Sequence, residues 1–131
     1  LRQLAGRHAP LTRDELGRRA ELAVADYLVA SGFVLLARNV RVGKLELDLV
    51  ARSGPLVVVV EVRTRGPGAF ERPFESIGPD KRRRIVRAVE RLWERRLKAM
   101  KDVMRVRIDV AAVTFEGQKT RVEYVTGAIV P

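Results

Sequence analysis

The sequence predicts an α/β domain with the element order α-β-β-β-α-β-β, on three observations. Two segments carry apolar residues at three- and four-residue steps, the period of a helix with one buried face. Five segments carry short apolar runs or two-residue alternation, the mark of strands. The chain has 131 residues, 47% of them hydrophobic. That suits one domain with a real core and is too apolar for a disordered basic tail.

Residues 1–11 read as a loose basic lead-in, and residues 12–131 as a single domain. Thr12-Arg13-Asp14-Glu15 has capping-box spacing, a hydroxyl for an early N–H and an acid three residues on that reaches back. Leu16, Ala20, Ala23, Val24, Tyr27 and Leu28 then trace the apolar stripe of a helix that stops near Gly32. Phe33 to Val42 is the first strand, and Gly43-Lys44 a turn. Leu45 to Ala51 alternates strictly, so Leu45, Leu47 and Leu49 are expected on one face, with Glu46, Asp48 and Val50 on the other. Arg52-Ser53-Gly54-Pro55 is a turn. Leu56 to Arg63 is a third strand, apolar enough to be buried on both faces. Arg65 to Pro79, rich in Gly and Pro, reads as a mobile loop. Asp80 is expected to cap a second helix running to about Met100. Val103 to Phe115 and Arg121 to Val130 complete the strands, joined by a turn near Glu116-Gly117. There is no internal repeat.

Composition excludes several chemistries. There are no cysteines and one histidine, His8, so thiolate zinc sites, cysteine nucleophiles and a Ser-His-Asp triad fall away. No apolar run approaches the roughly 20 residues that cross a bilayer. No signal peptide is visible, which makes a cytoplasmic protein the expectation. The first residue is Leu rather than Met, consistent with a missing natural start. The net charge of +10 points to a polyanion. It is concentrated: Lys81 to Lys101 holds ten basic residues against Glu90 and Glu94. In that helix Ile85, Ala88, Val89 and Leu92 form the apolar stripe, widened by Val86 and Trp93. Arg83, Arg87, Arg91 and Lys98 project oppositely. Like charges four apart cost helix stability, so their retention suits an external anion, although a solvated face carries the same pattern. Lys81 differs: its wheel angle lies within the apolar stripe, so it points back to the sheet.

Asp48 on the second strand and Glu61 on the third form the informative constellation. A short turn joins the two strands, which should pair antiparallel. If their polar faces coincide, Asp48, Glu61 and Arg63 form one cluster. Glu61 follows Leu56-Val57-Val58-Val59-Val60, and a carboxylate there is costly unless paired or bound to a cation. Two adjacent carboxylates repel unless charge compensates. Such pairs bind Mg²⁺, which can activate water and neutralise charge on a phosphate. The same spacing is also met by Glu61 simply pairing with Arg63 or Arg65 at the strand end.

The motif series is identified as that of the YraN-like family of small bacterial proteins. The chain resembles it over roughly residues 14–115. Gly17, Glu21, Tyr27-Leu28 and Gly32-Phe33 match the opening helix, and Asn39 and Arg41 an N-x-R step. Leu45-Glu46-Leu47-Asp48 matches G-E-I-D, and Val60-Glu61-Val62-Arg63-Thr64-Arg65 matches V-E-V-K/R-x-R. Ser76, Lys81, Arg84 and Ile85 match S-x(4)-K-x-x-R-I. Arg107-Ile108-Asp109-Val110 matches the R-F-D-V strand. Ala20 and Leu45 stand where the family usually has Gly.

The resemblance implies the restriction-endonuclease-like αβββαβ core of the PD-(D/E)xK nucleases, a mixed central sheet flanked by helices. Archaeal Holliday-junction resolvases are similar in size and layout. It implies a metal-dependent endonuclease acting on structured or branched DNA. Mg²⁺, with Mn²⁺ as substitute, would be held by Asp48, Glu61 and the Val62 carbonyl, with Glu21 as a third acid. Glu21 is equally readable as a solvent-facing helix acid, and Glu46, sharing a face with Asp48, as an assisting residue or a strand-edge charge. Arg63 replaces the motif lysine. It cannot deprotonate and so cannot be a base, but it can grip a phosphate. Lys81, Arg84, Arg41 and Arg65 are the expected DNA contacts. With few aromatics, phosphate contacts to duplex or branched DNA fit better than base stacking. Analogy to resolvases suggests a homodimer, and a DNA substrate a nucleoid association. The rival expectations are a non-catalytic DNA-binding protein on a nuclease-derived fold, and a protein-interaction adaptor.

Overall fold

The computed structural model describes residues 11–65 and 77–131. The lead-in to residue 10, most of the Gly/Pro-rich loop and the motif residue Ser76 lie outside the described residues.

Helix α1, Arg13–Ala30, begins on the expected capping box. The Glu15 N–H donates to Thr12 Oγ1 at 3.1 Å, and the Thr12 N–H to Glu15 Oε1 at 3.0 Å. This uses two of the backbone donors a helix start leaves open. Ala20, Val24, Ala25 and Leu28 form its buried face. Tyr27 is exposed, and its ring stacks on Tyr124 at 5.0 Å. Strands β1 (Val34–Val42), β2 (Leu45–Ser53) and β3 (Leu56–Arg65) come next as two hairpins. Gly43 and Gly54 take positive φ in the turns, where a side chain would be strained.

Helix α2 spans Pro79–Arg95 and corrects the expected boundaries. Asp80 is not the cap. Gly78 holds that place without a side-chain bond, and Pro79 starts the helix, since its fixed φ suits the first helical position and its missing N–H is not needed there. Asp80 therefore sits in the first turn, where a negative charge suits the helix dipole, and it bonds Arg83. The helix also ends short of Met100. Arg96 leaves helical geometry, and a 3-10 turn, Leu97–Ala99, brings Leu97 into the core. Strands β4 (Arg105–Glu116) and β5 (Lys119–Ile129) complete the chain.

The strands form one sheet in the order β1-β2-β3-β4-β5. Only β3 and β4 run parallel, across the α2 crossover, and the other pairs are antiparallel. The fold is thus a mixed five-stranded sheet with a helix on each face, and it contains the αβββαβ order expected of the core. Val58 and Val60 of β3 pack in the α1 core, Val57 and Val59 in the α2 core. Burial on both faces explains the unbroken valines. Among the described residues no helix is long and apolar enough to cross a membrane.

One expectation about β2 fails. Leu45 and Leu47 pack against the α2 core, but Leu49 joins Ala51 in the α1 core and Val50 faces α2. The alternation slips at Asp48. Opposite it, the β1–β2 register passes from Arg38↔Leu49 to Val40↔Leu47, and the intervening Asn39 has φ of 50°. A left-handed residue inside a strand rotates the residues beyond it. Asn tolerates that conformation better than most residues.

Candidate functional site

The site lies where β2 and β3 part. Their ladder ends at Leu49↔Val60, whereas β1–β2 pairing continues to Val42↔Leu45 and β3–β4 pairing to Arg65↔Thr114. Asp48 and Glu61 are the first residues beyond the break. The Val62 N–H, lacking a β2 carbonyl, donates to Asp48 Oδ2 at 2.8 Å. The Asp48 carboxylate thus turns into the gap between strands instead of towards either core. A residue bonding sideways in a sheet sends its N–H and C=O to the same edge, so the Val62 carbonyl faces the same gap.

Glu61 is buried among valines at 6% exposure and lies on the α2 face with two cations. Lys81 Nζ stands 3.5 Å from its Oε2, and Arg63 Nη1 3.8 Å from the same atom. Lys81 belongs to the first turn of α2 and does point back to the sheet. Burial pushes the Asp48 carboxyl up to about 7, aided by the charge of Glu61 and a carboxyl–carboxyl hydrogen bond. The Val62 N–H and the Lys81 ammonium pull it the other way. Near neutral pH the Asp48 carboxyl is therefore only partly ionised, so the second negative charge is incomplete.

Glu21 stands beside this pair. Asn39 Nδ2 donates to both its carboxylate oxygens, at 3.3 and 3.5 Å, and to Glu46 Oε1 at 3.4 Å. Burial raises the Glu21 carboxyl against the Asn39 bond, and the charges of Asp48 and Glu46 raise it further. Among the described residues no three acids or histidines gather closely enough to hold a metal ion.

The remaining candidates are dispersed. Arg41 is exposed and 3.8 Å from Glu46, its cross-strand neighbour. Arg65 is committed to Glu123 of β5 at 2.6 Å. Arg84 projects from α2 into a basic hollow, its Nε 3.4 Å from the Asp80 carbonyl.

Two features carry no expected role from sequence. Asn39 links Glu21 to Glu46 and sets the kink at Asp48, and an Asn within a strand is itself an anomaly. Asp109 is fully buried. It accepts two bonds from Arg107, at 2.8 and 3.0 Å, one from the Tyr124 hydroxyl and one from the Gly127 N–H. Gly127 has positive φ where the β4–β5 register shifts, so Asp109 fastens an irregular edge and raises the Tyr124 hydroxyl above its ordinary range, after burial. The anomalous acid in an apolar strand was the available signal.

Among known proteins, a UPF0102 protein of Sorangium cellulosum is 50% identical over 111 residues, covering 85% of this chain and 77% of that one. One from Anaeromyxobacter dehalogenans is 41% identical over 116 residues, covering 88% and 84%. One from Bacteroides thetaiotaomicron is 34% identical over 118 residues, covering 90% and 94%. Among solved structures, Pyrococcus furiosus SfsA in complex with Ca²⁺ is similar at a TM-score of 0.41 and 13% identity, over 84% of this chain and 62% of that one. A family model described as "Uncharacterised protein family UPF0102" matches residues 20–113, a span that holds Asp48, Glu61, Val62, Arg63 and Lys81, and the chain belongs to that family, the YraN-like family.

Proposed function

We propose that this chain is a divalent-metal-dependent endonuclease that hydrolyses phosphodiesters in duplex or branched DNA. One observation carries the reading: two carboxylates meet where β2 and β3 part, one of them buried, with two cations on the buried one. The donor set suits Mg²⁺, which takes oxygen ligands, keeps several waters and needs only one or two carboxylates. Asp48, Glu61 and the Val62 carbonyl make such a set, and Mn²⁺ accepts the same ligands. A carboxyl held near 7 by burial and by the charge of Glu61 is one that a divalent cation would return to its ionised form.

When bound, the cation would lower the pKa of water and neutralise charge on the phosphate. The rest falls to the chain. Asp48 and Glu61, with the Val62 carbonyl, would hold the cation, and its charge would favour the ionised form of Asp48. Arg63, always charged, grips phosphate oxygens and stabilises the charge that builds on them. Lys81 takes the place left by the motif lysine, within 3.5 Å of Glu61, and orients the attacking water or the scissile phosphate. Glu21 and Glu46, tied through Asn39, act on Asp48 through charge and position. A nucleoid-associated protein of the cytoplasm is the setting such a substrate implies.

Arg63 favours a second reading, a DNA-binding protein that does not cut, because arginine cannot serve as a base. One experiment separates the two. Branched, flapped and linear DNA are incubated with Mg²⁺ or Mn²⁺ and wild-type, Asp48→Ala or Glu61→Ala protein. Hydrolysis by the wild type, lost in both variants while DNA affinity stays within a few-fold, is expected. A wild type that binds every substrate and cuts none overturns the nuclease reading and leaves the second.

A further inference from the structure

We infer that a second phosphate-binding site, outside the acidic cleft, lies between the β1–β2 turn and the outer side of α2, and that it holds the backbone of duplex DNA. A hollow of about 260 Å³ opens there. Its rim carries Lys44 from the turn and Arg84, Arg87 and Arg91 from α2, over a floor of Val42, Leu45 and Ala88. Four cations face one concavity, and no carboxylate lines it.

Several neighbouring basic residues are already engaged. In α2, Lys81 is on Glu61 and Arg83 on Asp80, and Arg82 donates to the Ile77 carbonyl; in the turn after it, Lys98 is on Glu94. Among the described residues, Lys44, Arg84, Arg87 and Arg91 form no ion pair with a carboxylate. Arg84 and Arg87, and Arg87 and Arg91, are spaced three and four apart on the helix, where like charges repel by about 0.2–0.5 kcal/mol a pair. An anion from outside would relieve the repulsion. The turn is also shaped to admit the helix. Gly43 has φ of 62°, and a Cβ there would meet Arg91 Nη1 at 3.2 Å. Glycine thus allows both the tight turn and the close approach of the guanidinium.

Size and composition select the ligand. A hollow of about 260 Å³ falls under the ~300–1,000 Å³ of pockets that enclose a drug-sized molecule. It takes phosphate groups and leaves the attached nucleosides outside. No aromatic residue lines it, so it offers no base stacking, and its contacts are blind to sequence. Placement selects the partner. Arg84 and Arg91, seven residues apart, share one side of α2, and Lys81, three residues before Arg84, lies beside it on the turn facing the sheet. From Lys81 to Arg91 the helix rises about 15 Å at 1.5 Å per residue, roughly four steps of a duplex strand at 3.4 Å each. One strand whose phosphate is at Lys81 in the cleft therefore reaches the hollow a few nucleotides away. The inference rests on DNA being the partner in the reading above, and not on hydrolysis.

The test is binding of a labelled 20-base-pair duplex in EDTA, across a series of KCl concentrations. Three proteins are compared: wild type, Arg87→Gln/Arg91→Gln, and Lys98→Gln/Arg121→Gln. The last loses the same charge from residues already paired with Glu94 and Glu116. Each phosphate contact contributes about −0.9 to the slope of log K against log salt. The hollow variant is expected to bind at least about tenfold more weakly at low salt, with a slope reduced by roughly two. The control should change affinity less than about twofold. Equal loss in both variants, or wild-type affinity and slope in the hollow variant, overturns the site. So does displacement of the duplex by polyglutamate as readily as by unlabelled duplex, which would make the partner an acidic protein surface. With EDTA present, any of these results is distinct from a failure of the hydrolysis reading, which the Asp48 and Glu61 variants decide.

Discussion

Asp48 is placed by two neighbours and strained by its surroundings. Asn39 in left-handed geometry breaks the β2 alternation, and the Val62 N–H turns the Asp48 carboxylate into the gap. Burial there, with the charge of Glu61 across it, outweighs the Val62 bond and raises the carboxyl from 3.8 to about 7, and this has a sign in stability. A carboxyl that holds its proton more tightly folded than unfolded makes the folded protein bind more protons between about pH 4 and 7. Stability of the metal-free protein should therefore fall as pH rises through that window. The Asp48→Asn variant is expected to flatten the fall, and Mg²⁺ to flatten it in the wild type by favouring the ionised pair. Urea unfolding at several pH values in that window reads this directly. Equal pH slopes in wild type and variant would show that Asp48 is not the strained group. Glu61 was legible in the sequence as a charge inside an apolar strand. The orientation of Asp48 was not, because it depends on the φ of a residue in another strand.

At the level of elements, local chemistry was the most readable part. The capping box of α1, the Gly turns of both hairpins and the apolar stripe of α2 are all set by residues within a turn of one another, and all stand as expected. The α2 start was misplaced because Asp80 looks like a cap until Pro79 before it is given its natural place. Long-range pairings were invisible for a different reason: Arg65 finds Glu123 only once β5 has joined the sheet beside β4. Asp109 is the most consequential of these. Its fully buried carboxylate joins Arg107 on its own strand to Tyr124 and Gly127 on β5. Removing it strands a partly buried guanidinium and frees the bulge. Asp109→Ala is expected to cost about 3–5 kcal/mol, the range for breaking a buried pair, measured by urea unfolding. Tyr124→Phe, which leaves the ion pair intact, should cost about 1–3 kcal/mol. A loss under about 1 kcal/mol for Asp109→Ala would mean that the edge of the sheet holds without it.

Across the whole molecule, charge is sorted. Of the net +10, all but two charges lie between Lys81 and Lys101, and α2 with the turn after it carries them at the side of a cleft whose centre is acidic. Lys81 joins the two regions, since it belongs to the basic helix and touches Glu61. A basic approach around an acidic pair suits a polyanion whose reacting phosphate must meet a cation held by carboxylates. The family relatives span most of this chain, and the matched region contains the whole pair. We propose that this pair binds a divalent cation. Titration with Mn²⁺, read as paramagnetic broadening of backbone amide signals, tests it without requiring a substrate. The amides of Asp48, Glu61 and Val62 should broaden first, at low metal ratios, with Mg²⁺ restoring them and Asp48→Asn abolishing the effect. Broadening that begins instead around Glu21, Asn39 and Glu46, or that is uniform over the acidic surface, would contradict it.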